Sequence, residues 1–357
     1  METDELVRIA NDVLGPAAWQ VEEVTYESGS PATGGLYRIH ASTEAAFVKL
    51  LQHVRHWSKL HLVPPGFRES FAASFPWRQE LEAWDFADCL PVGMRLPELY
   101  RVTDLGDDRL LLWMEYIDTL ADAWDAERFS RAAYLLGGLA ATRSRPEILA
   151  SNGLPAGFGL RIYADGRISQ GAVPMLYQDD VWRHPLVADA VDPALRADLI
   201  RLADQLPHLL NRLDALPQAI PHGDASPQNL LVPANAPDEF VAIDISFQCP
   251  LAIGFDLGQL LIGLVHAGEM PAAQLSTVHD VLVPSYVAGM KEYGVDASTA
   301  DVTYGYIVSL VVRAGFTSLP FELLGAPASA DLAATFKERA ALTRFIVDQG
   351  LMTALGQ

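Results

Sequence analysis

The chain has 357 residues, half of them hydrophobic and a fifth charged, which suits a large buried core and excludes a disordered polymer. Lys and Arg total 25 against 45 Asp and Glu, a formal net charge of −20. Such a field repels nucleic acid and anionic membranes, so neither is expected as a partner; it can concentrate a cationic substrate or simply keep the surface soluble.

The N-terminal METDELVRIANDVLG is acidic and amphipathic, unlike a signal peptide, and no apolar run is long enough to cross a bilayer. Cys89 and Cys249 are too few for a disulfide framework and too far apart for a CxxC pair. They are expected as buried thiols of a cytoplasmic protein. Residues 1–14 read as a short amphipathic helix, and Trp19–Tyr26, Leu36–His40 and Ala45–Leu51 as strands joined by turn-rich segments. The stretch 53–75, with Pro64-Pro65-Gly66, reads as irregular. Trp77–Leu90 carries the apolar spacing of a helix, and Leu99–Val102 and Arg109–Ile117 read as two further strands.

The pattern changes after Asp118. Ala121–Thr142 reads as a helix, Ser151–Gln178 as loop, and Pro193–Leu216 as a long amphipathic helix. A short strand is expected at Val241–Ile245. Helices follow at Asp256–His266, Ala272–Tyr293, Thr303–Ser318 and Ala330–Gly350. The order is a small strand-rich lobe, a hinge near Glu115–Thr119, and a large helical lobe.

Between the long helix and the short strand stands PHGDASPQNLLV, residues 221–232, with an acid at Asp224 and an amide at Asn229. A second acid, Asp244, sits in the apolar FVAIDISF, where a carboxylate needs a partner or a metal. A third, Asp256 in IGFDLGQLL, opens a helix and on its own reads as an N-cap. Ser226 lacks the G-x-S-x-G setting of a nucleophile.

HGDASPQN, then AIDIS, then GFDLG resembles the aminoglycoside phosphotransferase and choline kinase family, relatives of the protein kinases. His222, Asp224, Asn229, Asp244, Gly254 and Asp256 match the family pattern in order and spacing. The resemblance implies an α+β, bilobal protein-kinase-like fold. Residues 1–117 would form an N-terminal nucleotide-binding lobe with a five-stranded antiparallel sheet and a helix. Residues 118–357 would form a mostly helical C-terminal lobe with the catalytic loop and the acceptor site. The implied chemistry is transfer of the γ-phosphate of ATP (or GTP) to a hydroxyl of a small molecule, which demands positioning and charge neutralisation more than covalent help.

By the same resemblance Asp224 accepts the proton of the attacking hydroxyl, Asn229 and Asp244 hold Mg²⁺, and His222 and Asp256 support the loop. Lys49 in AAFVKLL matches the lysine that contacts the nucleotide phosphates. Glu80 is preferred over Glu82 as its ion-pair partner because an aromatic follows Glu80 four residues on. Gly29, Gly34 and Gly35 in ESGSPATGGLYRI fit a phosphate-covering loop, although the segment departs from GxGxxG. LLWMEYID resembles the hinge that reads adenine through Glu115 C=O and Ile117 N–H.

Ile245-Ser246 after Asp244 departs from the protein kinases, and no A-P-E element follows, which argues against a protein substrate. The expected acceptor is an aminoglycoside-like antibiotic or a sugar, with choline, homoserine or a related small alcohol as the alternative. A nucleotide-binding pseudokinase that regulates a partner is the alternative from another class. A monomer or homodimer is expected.

Overall fold

Which face of a strand each side chain occupies decides how the strand-rich part is built. The computed structural model of the chain describes residues 2–25, 30–42, 44–63, 65–120 and 124–355. Its contacts separate into two units: Met1–Asp88, Arg95–Leu120 and Leu231–Ile243 in the first, and Cys89–Met94, Ala121–Leu230 and Asp244–Gln357 in the second.

In the first unit, strands β1 (Gln20–Glu23), β2 (Thr33–Ala41), β3 (Glu44–Gln52), β4 (Leu99–Gly106) and β5 (Arg109–Glu115) form one antiparallel sheet. Their order is β1-β2-β3-β5-β4, which places β3 at the centre. Val48, Leu50, Leu111 and Trp113 point to one face, where Leu6, Ile9 and Ala10 of the helix Thr3–Val13 cover them. Leu51, Leu110, Leu112 and Met114 point to the other, against Trp77, Leu81 and Trp84. Lys49 lies two residues from both Phe47 and Leu51, so side-chain alternation puts it on this second face.

The stretch read as a helix over Trp77–Leu90 is instead a turn followed by a 3₁₀ segment, Leu81–Cys89, interrupted at Phe86. Pro76 and Pro91 bracket it, and a spacing of three residues between Leu81 and Trp84 is met by a 3₁₀ turn as well as by an α-turn. The Trp84 indole anchors the segment by donating to Pro97 C=O at 3.1 Å. The preceding 53–75 stretch folds into three single 3₁₀ turns and the helix Arg68–Ser74. Phe71 of that helix packs between Trp57 and Phe75.

Beyond β5 the chain is tied to the 231–243 segment of the same unit: Leu120 N–H donates to Val232 C=O at 2.9 Å, and Ala234 N–H to Asp118 C=O at 2.8 Å.

The second unit is built from the helices Ala126–Arg143, Leu195–Asp214, Leu257–Ala267, Leu275–Glu292, Thr299–Leu310 and Ala330–Leu355, with shorter ones between. Ala126–Arg143 and Leu275–Glu292 touch backbone to backbone. A Cβ on Gly137 would stand 2.1 Å from Tyr286 C=O, and one on Gly289 1.9 Å from Tyr134 C=O.

The expected loop at 151–178 is largely helical: Phe158–Tyr163, the wide π-type turns Ala164–Ala172, and Val173–Leu176. Leu160, Ala164, Ile168 and Leu176 are buried, a stripe at multiples of four hidden among the segment's glycines and Pro174. The helix Thr299–Leu310 likewise runs into a π-turn, Val311–Gly315. Both cysteines are free thiols. Among the described residues no helix is long and apolar enough to cross a membrane.

Candidate active site

The 221–232 loop is reached through a two-residue ladder, Gln218–Ala219 against Leu251–Ala252, and turns sharply at Gly223. There φ is +92°, and a Cβ would lie 1.9 Å from Ser246 C=O, so only glycine fits. Asp256 holds the turn from beneath. One carboxylate oxygen accepts from His222 N–H at 2.9 Å and the other from Gly223 N–H at 2.8 Å. Although Asp256 stands at the N-terminus of the helix Leu257–Ala267, its side chain makes no capping bond to that helix. The plain N-cap reading is thereby replaced by a brace. Burial pushes its carboxyl up to about 6, against the pull of the two backbone donors and of Arg313 and Arg143.

Arg143, buried at the end of its helix, donates to Pro221 C=O at 3.3 Å and to Gln248 Oε1 at 2.7 Å. Gln248 in turn donates to Pro221 C=O at 3.0 Å and Ser246 C=O at 2.7 Å. Burial brings the Arg143 guanidinium down to about 10, so it stays charged at neutral pH.

His222 is wholly buried. Its Nδ1 accepts from Asp224 N–H at 3.3 Å, which leaves the ring proton on Nε2. Burial pushes the imidazole down to about 4, with Asp244 opposing and Arg143 adding to the shift. A ring that stays neutral across the physiological range shapes the loop and does not act as its base.

Asp224 stands over this support with 40 % of its side chain exposed. Arg313 donates to its Oδ1 at 3.3 Å and Asn229 Nδ2 to its Oδ2 at 3.1 Å. The same amide bonds Asp224 C=O at 2.8 Å, so acid and amide are clamped face to face across the loop. Crowding by surrounding protein pushes the Asp224 carboxyl up, Asp244 adds to this, and Arg313 and Asn229 pull it back down. The strand expected over Val241–Ile245 is shorter than the sequence reading. The strand ends at Ala242, and Asp244 follows it exposed, in the left-handed region at φ 55°. Its apolar neighbours in sequence therefore do not bury it.

In the first unit Lys49 Nζ meets Glu80 at 2.7 Å. Both side chains are largely buried, at 7 % and 17 % exposure. A lone ammonium on an apolar face would cost more than the ~1.5–3 kcal/mol that a buried Leu contributes, so the pair is what permits a lysine there. Gly34 and Gly35 do not lie in the β1–β2 loop but open β2, at a register shift against β3. A Cβ on Gly34 would come within 2.6 Å of Gln52 Oε1, and one on Gly35 within 2.6 Å of the Tyr37 hydroxyl. Gly29 lies outside the described residues. Glu115 ends β5 with its carboxylate gripped by Arg95 at 2.6 and 2.9 Å, an ion pair that holds the acid below its usual range. Ile117 follows, half-buried, two residues beyond the end of the strand.

No family model and no curated protein matches the sequence. Solved structures match it along nearly its whole length. A microcompartment-associated aminopropanol kinase aligns with a TM-score of 0.56 at 15 % identity, over 97 % of this chain and 98 % of that one. A spectinomycin phosphotransferase in complex with ADP and spectinomycin aligns at 0.52 and 13 %, over 98 % and 99 %. An aminoglycoside phosphotransferase from Alicyclobacillus acidocaldarius aligns at 0.50 and 13 %, over 96 % of each.

The fold is that of the small-molecule kinases. Within it, Asn229 and Asp244 suit a hard divalent cation. Asn229 spends its NH₂ on Asp224, which leaves Oδ1 as an oxygen donor, and Asp244 is an exposed carboxylate. Among the described residues no three His, Cys, Asp or Glu side chains converge on a metal-sized space. Mg²⁺ takes hard oxygen ligands, keeps water and phosphate among them and seldom uses an all-protein cage.

Sequence reasoning missed Arg313, Arg143 and Gln248. A signal existed for the first: Arg313 is the sole charge in the apolar run IVSLVVRAGF. Gln248 carried none, because its role depends on Arg143 and Pro221, distant in sequence.

Proposed function

We propose that the protein is an ATP- (or GTP-) dependent phosphotransferase that moves the γ-phosphate to a hydroxyl of a small molecule. The observation that carries this reading is the clamped Asp224. Its carboxylate is exposed enough to meet an acceptor, and each of its oxygens is held by a separate side chain on a loop braced from below. A binding module has no use for a carboxylate positioned in this way.

In this reading residues 1–117 supply nucleotide binding and residues 118–357 the loop and the acceptor site. The Lys49 ammonium, aligned by Glu80, contacts the nucleotide phosphates. Glu115 C=O and Ile117 N–H read the base. Asn229 Oδ1 and the Asp244 carboxylate would hold Mg²⁺, which supplies charge neutralisation to the phosphates when bound. Asp224 orients the acceptor O–H and takes its proton as the oxygen–phosphorus bond forms and the nucleoside diphosphate leaves. His222 and Asp256 keep the loop in register and exchange no proton with the acceptor.

The acceptor is an aminoglycoside-like molecule or a sugar. A small amino alcohol is the second reading, favoured by the net charge of −20 and by the aminopropanol kinase among the structures of like fold. The test is ADP release from Mg-ATP with a panel of aminocyclitols, amino alcohols and neutral sugars. The reading expects acceptor-dependent turnover that Asp224→Asn lowers about 10²–10⁴-fold. Nucleotide binding with no transfer to any acceptor would favour a pseudokinase.

A further inference from the structure

The side chain that fixes Asp224 comes from far along the chain. Arg313 sits in the π-turn Val311–Gly315, where the helix Thr299–Leu310 widens. Its guanidinium reaches the 221–232 loop with a fork: Nη1 donates to Gly223 C=O at 2.7 Å and Nη2 to Asp224 Oδ1 at 3.3 Å. The fork is itself held. Phe247 and Phe255 present their rings to the cation at 4.8 and 5.4 Å, and Gln259 Oε1, with its amide turned to face the guanidinium, accepts from Nη2 at 2.9 Å and Nη1 at 3.1 Å. Arg313 C=O accepts from the Tyr163 hydroxyl at 2.9 Å, which fixes the π-turn that aims the side chain. Only 12 % of the side chain is exposed, so salt screens the contact little.

Resting on the kinase reading above, we propose that Arg313 is a positioning residue for phosphoryl transfer, locking the rotamer of Asp224 by tying its Oδ1 to the backbone of the same loop. An exposed aspartate rotates broadly about its terminal torsion. With Asn229 on Oδ2 and Arg313 on Oδ1, the carboxylate plane has one setting. A planar guanidinium can bond the carbonyl and the carboxylate together, whereas an ammonium at the same place is a point charge that cannot span both in fixed geometry. The plainer alternative is that Arg313 merely pins the C-terminal helices to the loop. The two differ in what a variant loses.

The experiment compares wild type, Arg313→Lys and Arg313→Ala for ADP release from Mg-ATP, for Mg-ATP affinity by calorimetry, and for melting temperature. The proposal expects Arg313→Lys to lower kcat by about 10–10²-fold, the scale on which misplacement of a reacting group is felt. Mg-ATP affinity and melting temperature should stay close to wild type. Guanidinium ion at a non-denaturing concentration should restore part of the turnover of Arg313→Ala and none of the turnover of Asp224→Asn. Unchanged kcat in Arg313→Lys would overturn the proposal. So would a parallel fall of kcat, affinity and melting temperature without rescue, which marks a structural pin. Failure of wild type to bind Mg-ATP or to turn it over would sink the kinase reading itself, and the role of Arg313 with it.

Discussion

His222 offers a perturbation whose size can be worked from its surroundings. The ring is wholly buried and its imidazole is pushed from an ordinary 6.5 down to about 4. At about 1.4 kcal/mol per pKa unit this difference is worth about 3 kcal/mol. The unfolded chain protonates this histidine near its ordinary value while the folded chain resists until about 4. The stability gained is therefore fully present above 6.5 and is lost as the pH falls through the window between the two values. Asp256 runs the other way. Its carboxyl is raised from 3.8 to about 6, so its contribution is present at low pH and is lost as pH rises through about 6. The two oppose each other over much of the same range, and the wild-type stability curve should be flatter than either alone. A difference against His222→Asn, which keeps an acceptor near the Nδ1 position, isolates the histidine. Urea unfolding should show the lead of wild type over the variant shrinking by about 2 kcal/mol between about pH 7 and about pH 4.5. Two parallel stability curves would mean that the ring titrates alike in both states, and the account of a neutral buried brace would be wrong.

Lys49→Ala should weaken Mg-ATP binding and lower kcat together, because the lysine is expected on phosphates in both ground and transition states; an unchanged kcat/KM for ATP would remove it from the site. Gly223→Ala should cost about 1–3 kcal/mol in backbone strain and displace the loop from Ser246, with turnover lost even at temperatures where the fold persists. Wild-type activity in that variant would mean that the turn is not tightly held. If the negative field steers a cationic acceptor, kcat/KM for that acceptor should fall steeply as salt rises, since screening acts over about 8–10 Å near physiological ionic strength. A flat salt profile points to a neutral sugar or polyol.

The loop motif and the strand alternation were legible because both are local. HGDASPQN names its own residues, and the parity of Phe47, Lys49 and Leu51 assigns a face before any partner is known. The helical stripe Leu160–Ala164–Ile168–Leu176 was obscured because glycines and Pro174 signalled a loop where burial of the stripe prevailed. The strand expected over Val241–Ile245 stops at Ala242, so Asp244 lies two residues beyond it, exposed. Arg143 and Arg313 reach the loop from helices 78 and 90 residues away along the chain, and such contacts are set by packing alone.

The most direct test of the central claim contrasts the two acids of the site, by calorimetric titration of a non-hydrolysable ATP analogue with and without Mg²⁺ alongside turnover. Asp224→Asn keeps the shape but cannot take a proton. Mg-nucleotide binding should persist while turnover falls about 10²–10⁴-fold, roughly 3–5 kcal/mol of transition-state stabilisation. Asp244→Asn removes a charge from the metal-holding pair, so Mg²⁺-dependent nucleotide affinity should fall along with turnover. Two distinct failures are the predicted result. Wild-type phosphate transfer by both variants would contradict the account and leave residues 221–232 as no more than a well-braced turn.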